Sequence, residues 1–193
     1  MGGNCALEFA AKLQAENIPV SLVVTVDPAH VCPKLPLSVE RFINIFQSTN
    51  LLGGGDVKPE AGYTGHYASF DLSEHREVVH VNIDKLDVIH EQVVTKTQQL
   101  AATPAKAQGE VVPIRYVMPV DAPLELWDSG MPVFARPGDT LQTLAASYHV
   151  PLWSLTQINR RSNTTPLTQG DRVIIPRYLV PLAAVSKQSP LNR

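Results

Sequence analysis

Residues Gly138–Asn159 read GDTLQTLAASYHVPLWSLTQIN, and this stretch decides how the C-terminal third folds. Gly138 offers a turn, and Asp139 or Thr140 suits a helix cap behind it; Asp139 and Gln142 stand at capping-box spacing. Leu141, Leu144, Ala145 and Tyr148 recur at i, i+3, i+4 and i+7, which gives that helix one buried face. Pro151 fits the opening turn of a second helix, lined by Leu152, Leu155 and Ile158 and ending at Asn159. A polar loop then runs to Gly170, and RVIIP at 172–176 reads as a strand that pairs with PVFAR at 132–136. The expected product is a small βααβ unit over 132–176.

Gly-Asp-Thr-Leu, the Tyr, the Asn and the closing LTQGDRVIIP fall in order, and together they resemble the lysin motif, the LysM module. The resemblance implies recognition of N-acetylglucosamine-containing glycans, either peptidoglycan or a chitin-like polymer. It implies a shallow groove with Gly138, Asp139, Thr140 and Leu141 on one side and Asn163, Thr164, Thr165 and Pro166 on the other. Such a groove offers an acetamido group backbone partners and an apolar contact for its methyl, with no catalyst and no cofactor. Helix capping by Asp139 or Thr140 is compatible with this role. Trp153 reads as a packed or half-exposed aromatic rather than a sugar platform, and Arg160 and Arg161 as a solvated pair. The module's usual target implies a location at the bacterial cell envelope, periplasm or wall.

Working outward, AATPAKAQGEVVPIRYVMPVDAP begins as a linker by composition, so 101–131 is expected to connect two units. Residues 177–193 form a Pro- and Ser-ended tail expected to be poorly ordered. Charge supports the division. Residues 1–100 hold 7 basic and 12 acidic side chains, whereas 101–193 hold 9 basic and 6 acidic. A net charge of −2 argues against nucleic acid as the main partner. No apolar run reaches the roughly 18 residues a membrane span needs. Cys5 and Cys32 fit neither zinc nor CxxC spacing, and read as buried free thiols rather than a disulfide. Oligomeric state is left open.

Residues 1–100 follow an α/β pattern. Ala6, Leu7, Ala10, Ala11 and Leu13 give a first helix that ends at Asn17 and Pro19. PVSLVVTVDP is a buried strand closed by Asp27-Pro28, and VERFINIFQS is a second strand ending near Ser48. LLGGGD, with Gly53-Gly54-Gly55, reads as a flexible turn; without a following GK[ST] it is no phosphate cradle. A long loop runs to Val78, VVHVNID resembles a strand, and Leu86–Leu100 is an amphipathic helix. Three strands are too few for a doubly wound sheet, so the unit is expected to be incomplete and to expose a sheet edge.

Met1-Gly2-Gly3 before a helix resembles the end of the G-x-S-x-G turn of α/β-hydrolases of the lipase and thioesterase type. FQSTNLLGGGD, GHYASF and HVNIDK further resemble a group of bacterial envelope-associated hydrolase-like proteins. The fold class implied is α/β, an incomplete α/β-hydrolase-like sheet followed by the βααβ unit. In that family the order is Ser, acid, His, which makes Asp27 the acid and His80 the base. The serine would stand one position before Met1. Ser48, Ser69 and Ser73 lie in no such turn, so the chain is expected to be inactive as a serine hydrolase. Either a start assigned too late or a truncated remnant accounts for this. His66 is the rival base, with His75 and His90 behind it. A metal site from the histidines and Asp84 has no recognised spacing, and none is assigned.

Overall fold

The computed structural model describes residues 2–102, 109–164 and 166–179. Strands β1 (Val23–Val26), β2 (Arg41–Phe46), β3 (His66–Asp71) and β4 (Ile114–Val117) lie side by side in chain order as a parallel sheet. One row of the register runs Val24, Ile43, Ala68, Ile114. RFINIF is buried at every position, as a central strand covered on both faces requires. Helix α1 (Gly2–Ala15) sets Leu7 and Ala10 against Val23, Phe42 and Tyr67 on one face. Helix α2 (Asp87–Ala102) sets Ile89 and Leu100 against Ile43, Ile45 and Phe70 on the other.

Strand β5 (Trp127–Phe134) pairs antiparallel with β6 (Arg172–Tyr178), and α3 (Leu141–Tyr148) and α4 (Leu152–Asn159) lie between them in the chain. Leu141, Leu144, Ala145, Val150, Leu155, Val173 and Ile175 make the core of this unit. The βααβ order is the one read from Gly138–Asn159. Of the two cap candidates the second is used, and the capping box falls one residue later than Asp139–Gln142. Thr140 is the N-cap of α3, accepting from the Thr143 N–H at 3.1 Å, while the Thr143 hydroxyl accepts from the Thr140 N–H at 2.9 Å. Asp139 instead turns back to accept from the Arg136 N–H at 2.7 Å.

Several segments differ from their sequence reading. His66–Asp71, placed in a long loop, is β3; its residues gain a ladder on both sides, from β2 and β4. VVHVNID is not a strand. The Asn82 side chain accepts from the Val79 N–H at 2.8 Å and donates to the Glu77 carbonyl at 2.9 Å. These local bonds compete with a sheet ladder, and a single 3-10 turn follows at Ile83–Lys85. Segment 101–131 is more than a connection, because it holds β4 and the start of β5. Residues 103–108, its most linker-like part, lie outside the described residues, as does the tail from 180; Arg177 and Tyr178 belong to β6. Cys5 is exposed and Cys32 half-buried, both free, because Cys5 falls off the Leu7–Ala10 stripe. Burial, with Asp56 nearby, raises the Cys32 thiol pKa.

The two units are packed together rather than strung apart. Trp127 is fully buried, with ring centroids 5.0 Å from Tyr116, 5.8 Å from Trp153 and 6.2 Å from Phe70. The Gln157 carboxamide on α4 meets the free edge of β4, accepting from the Val117 N–H at 3.0 Å and donating to its carbonyl at 2.8 Å. It thereby closes that edge as a neighbouring strand would. At the other edge, β1 pairs with β2 alone among the described strands.

Candidate functional site

The carboxyl end of β1 carries the first site. Asp27 follows Val26 with φ 45°, a left-handed conformation rare for a residue with a Cβ, and it is almost wholly buried. Four donors satisfy its carboxylate. Oδ1 accepts from the Gln47 N–H at 3.1 Å and the Gly54 N–H at 2.8 Å. Oδ2 accepts from Asn50 Nδ2 at 2.8 Å and His80 Nδ1 at 2.8 Å. A carboxylate only accepts here, so the His80 Nδ1 donates, and in the neutral ring Nε2 is the nitrogen with the lone pair. The His80 side chain is one-third exposed, and no hydrogen bond among the described residues reaches Nε2.

Gly53-Gly54-Gly55 is not a loose turn but the buried wall of this cradle. A Cβ on Gly53 would stand 2.0 Å from Asp27 Oδ2 and 2.6 Å from His80 Nδ1. Gly54 holds φ +81°, which points its N–H at the carboxylate. The segment is fixed further by His30, whose Nε2 donates to the Asn50 carbonyl at 2.8 Å. Thr49, Asn50, Leu51, Leu52, Val79 and Val81 line a cleft of about 350 Å³ beside His80. Gln47, Asn50 and Gly53, which no sequence pattern singles out, complete the cradle around the Asp27–His80 pair. Their only signal was a glycine run too close to a carboxylate in space, which no spacing reveals.

His66 is a different kind of histidine. It is buried, with Nδ1 2.9 Å from Ser129 Oγ and 3.1 Å from Asp128 Oδ2, while Ser129 Oγ donates to Asp128 Oδ1 at 2.8 Å. Arg41 Nε stands 3.3 Å from the same carboxylate. Serine and aspartate share one ring nitrogen here, so the imidazole cannot relay a proton between them. The cluster ties β2 and β3 to β5. His75 reaches the Pro119 carbonyl at 3.2 Å, and no His, Cys, Asp and Glu group among the described residues converges as a metal site.

The second candidate site is the pair of loops at one end of the antiparallel β5–β6 pair. Ala135 donates to the Asp171 carbonyl at 2.9 Å and accepts from the Gly170 N–H at 2.9 Å, which holds the loops after β5 and before β6 together. Gly138 is exposed with φ +85°, and Asp139 and Thr140 are half-exposed. Leu141 is wholly buried in the α3 core, backbone included, so it supports the loop from beneath and offers no surface of its own. In the loop before β6, Asn163, Thr164 and Pro166 are exposed, while Thr165 lies outside the described residues. The structure places Asn163 with Leu152, Trp153, Thr156 and Ser162 around a cavity of about 420 Å³. Trp153 is therefore half-buried, one side on Tyr116 and Trp127 and another on this cavity. Arg161 is no free cation: it bonds Asp171 at 2.6 Å, while Arg160 adopts the left-handed C-cap of α4. Hydrogen bonds from Arg161 and the Thr168 N–H hold the Asp171 carboxyl below its usual pKa.

Residues 135–176 match the LysM domain. No curated protein and no solved structure matches the chain. A LysM domain points to binding of peptidoglycan or another N-acetylglucosamine glycan, and so to an extracellular or envelope setting. No helix among the described residues is long and apolar enough to cross a membrane.

Proposed function

We propose that this protein binds peptidoglycan or a related N-acetylglucosamine polymer without chemical turnover, through the loops Gly138–Leu141 and Asn163–Pro166, at the bacterial cell envelope. The observation that carries this reading is the LysM match over a unit whose two loops are pinned together at Ala135. These loops expose short polar side chains and backbone around Gly138 and Asn163, which suits an acetamido sugar. Because the Thr140 hydroxyl is itself the helix cap, Thr140→Trp would disturb α3 as well as the groove. Asn163→Trp is the cleaner block, since Asn163 is exposed and its side chain takes only a 3.3 Å bond from Ser162. Sedimentation of the full chain with purified peptidoglycan should retain the wild type and release Asn163→Trp. Equal retention of both would remove this loop from the site.

A second reading rests on the Asp27–His80 pair. A buried carboxylate that orients an imidazole through Nδ1 and leaves Nε2 facing a cleft supports the base of a serine-hydrolase triad. In this reading the chain is part of a longer envelope ester or thioester hydrolase. A serine presented to Nε2 would give its proton there as its oxygen attacks an acyl carbonyl, and the imidazolium would pass that proton to the leaving group as its bond to the acyl carbon breaks. Translation of the DNA upstream of Met1 tests it. An in-frame Gly-His-Ser directly before Met1 supports the enzyme, and a stop codon there ends the idea.

A further inference from the structure

A cavity of about 350 Å³ opens between the carboxyl ends of the parallel strands and helix α4. Phe46 closes β2, Asp71 closes β3 and Val117 closes β4; Ser69 and Arg115 stand beside them, and Gln157 comes from α4. The strands run β1-β2-β3-β4 with no reversal of order, so the cavity is made by the packing of α4 against β4 and not by a topological switch point. We propose that this junction is a second saccharide subsite, holding a neutral pyranose unit between the sheet and the C-terminal unit.

The charges argue for a neutral ligand. Arg115 is ion-paired with Asp56 and lies over the Tyr67 ring, 4.9 Å from its centroid. Burial alone would raise the Asp56 carboxyl, yet hydrogen bonds from Lys58 and Arg115 outweigh it and hold that pKa low. The guanidinium is thus already balanced, and Asp71 repels an anion. Asp71 spends Oδ1 on the Ser48 and Ser73 N–H groups, each at 3.0 Å, which leaves Oδ2 for a donor such as a sugar hydroxyl. The remaining Arg115 N–H groups suit hydroxyl oxygens, and Phe46 and Val117 give the C–H face of a pyranose an apolar wall. An added peptide strand is excluded, because Gln157 occupies the Val117 N–H and carbonyl.

The site also joins the other two. Gln47 donates to Asp27 and the next residue, Ser48, donates to Asp71, so one turn after β2 holds both carboxylates. On the other side, α4 presents Gln157 to the junction and Thr156 to the cavity shared with Asn163. The choice of an N-acetylglucosamine probe rests on the LysM reading, and the experiment separates the two.

Calorimetric titration of the full chain with the N-acetylglucosamine tetramer provides the test, with Val117→Trp, Asp71→Asn and Asn163→Trp as variants. Val117→Trp fills the cavity from a partly exposed position. Asp71→Asn keeps one oxygen for the two backbone donors and removes only the free acceptor. Each should weaken binding about tenfold, the loss expected for one charge-assisted contact or one blocked subsite. If both weaken binding and Asn163→Trp does not, the junction stands and the loop site falls. If Asn163→Trp alone weakens binding, the junction proposal is overturned and the LysM reading survives. Unchanged affinity in all three overturns both, and Asp71→Asn decides alone should Val117→Trp fail to fold.

Discussion

From Leu141 to Ile175 the C-terminal unit closes on aliphatic side chains with few polar groups inside. The parallel sheet does the opposite, burying Thr25, Asp27, Arg41, Asn44 and His66 along its strands. Asn44 shows how these are accommodated: it accepts from Thr25 Oγ1 at 2.8 Å and donates to the Gly55 carbonyl at 2.9 Å. One region is stabilised by apolar packing between residues close in the chain. The other needs bonded partners drawn from across 50 residues. A groove of local origin tolerates change around it, whereas the Asp27 cradle depends on every loop that reaches it.

The largest expected effect lies where the two regions meet. Trp127→Ala should lower stability by about 3–5 kcal/mol, the range for emptying a buried aromatic site. Thermal unfolding followed at both aromatic and backbone signals should show the units melting together at a lower temperature. Independent melting of the parallel sheet and the βααβ unit would break the comparison, because it would make the Trp127 cluster dispensable.

Next comes the cradle. Gly53→Ala forces a Cβ to 2.0 Å from Asp27 Oδ2, and overpacking of this kind costs about 1–3 kcal/mol. The His80 Nδ1–H proton signal in NMR should disappear or shift while the LysM amides stay in place. An unmoved signal would mean that the cradle is looser than its distances indicate.

The legibility of the two regions follows the same divide. The βααβ unit was readable because Gly138, Thr140, Leu141, Leu144 and Pro151 act on neighbours within a few residues. Even there, Asp139 and Thr140 both suited the cap, and Thr140 takes it because Asp139 accepts from the Arg136 N–H. The pairing of Asp27 with His80 was legible only through resemblance. The Gly53 wall, the strand at His66–Asp71 and the β4 strand inside 101–131 were not legible. HYASFD and IRYV are short, and their burial is set by strands distant in the chain. The turns at Val79–Asn82 were misread as a strand because apolar residues repeat there while Asn82 ties the backbone locally.

Smaller effects sharpen the contrast. Thr140→Ala removes the hydroxyl that accepts from Thr143 and should cost about 1 kcal/mol, confined to α3 and its core. Hydrogen-exchange rates should rise across Leu141–Tyr148 and leave β2 and β3 unchanged. A spread of the effect into the sheet would show tighter coupling than the α3 contacts carry.

The smallest effect is in acid. Asp171 and Asp56 both have folded-state pKa values below the ordinary 3.8. A depressed carboxyl stabilises the fold above its unfolded value and loses that contribution as pH falls through the folded value. Melting temperature should therefore be insensitive to these two groups from pH 7 to 5 and decline below about pH 3.8. Asp171→Asn should flatten that decline only slightly, because the carboxylate is exposed and its ion pair with Arg161 is screened.

Amide chemical-shift mapping of the full chain during titration with an N-acetylglucosamine oligomer reads glycan binding at the LysM loops residue by residue. Saturable shifts concentrated at Gly138–Leu141 and Asn163–Thr164 are expected. A titration that leaves those amides unmoved at saturating oligomer would contradict glycan binding there.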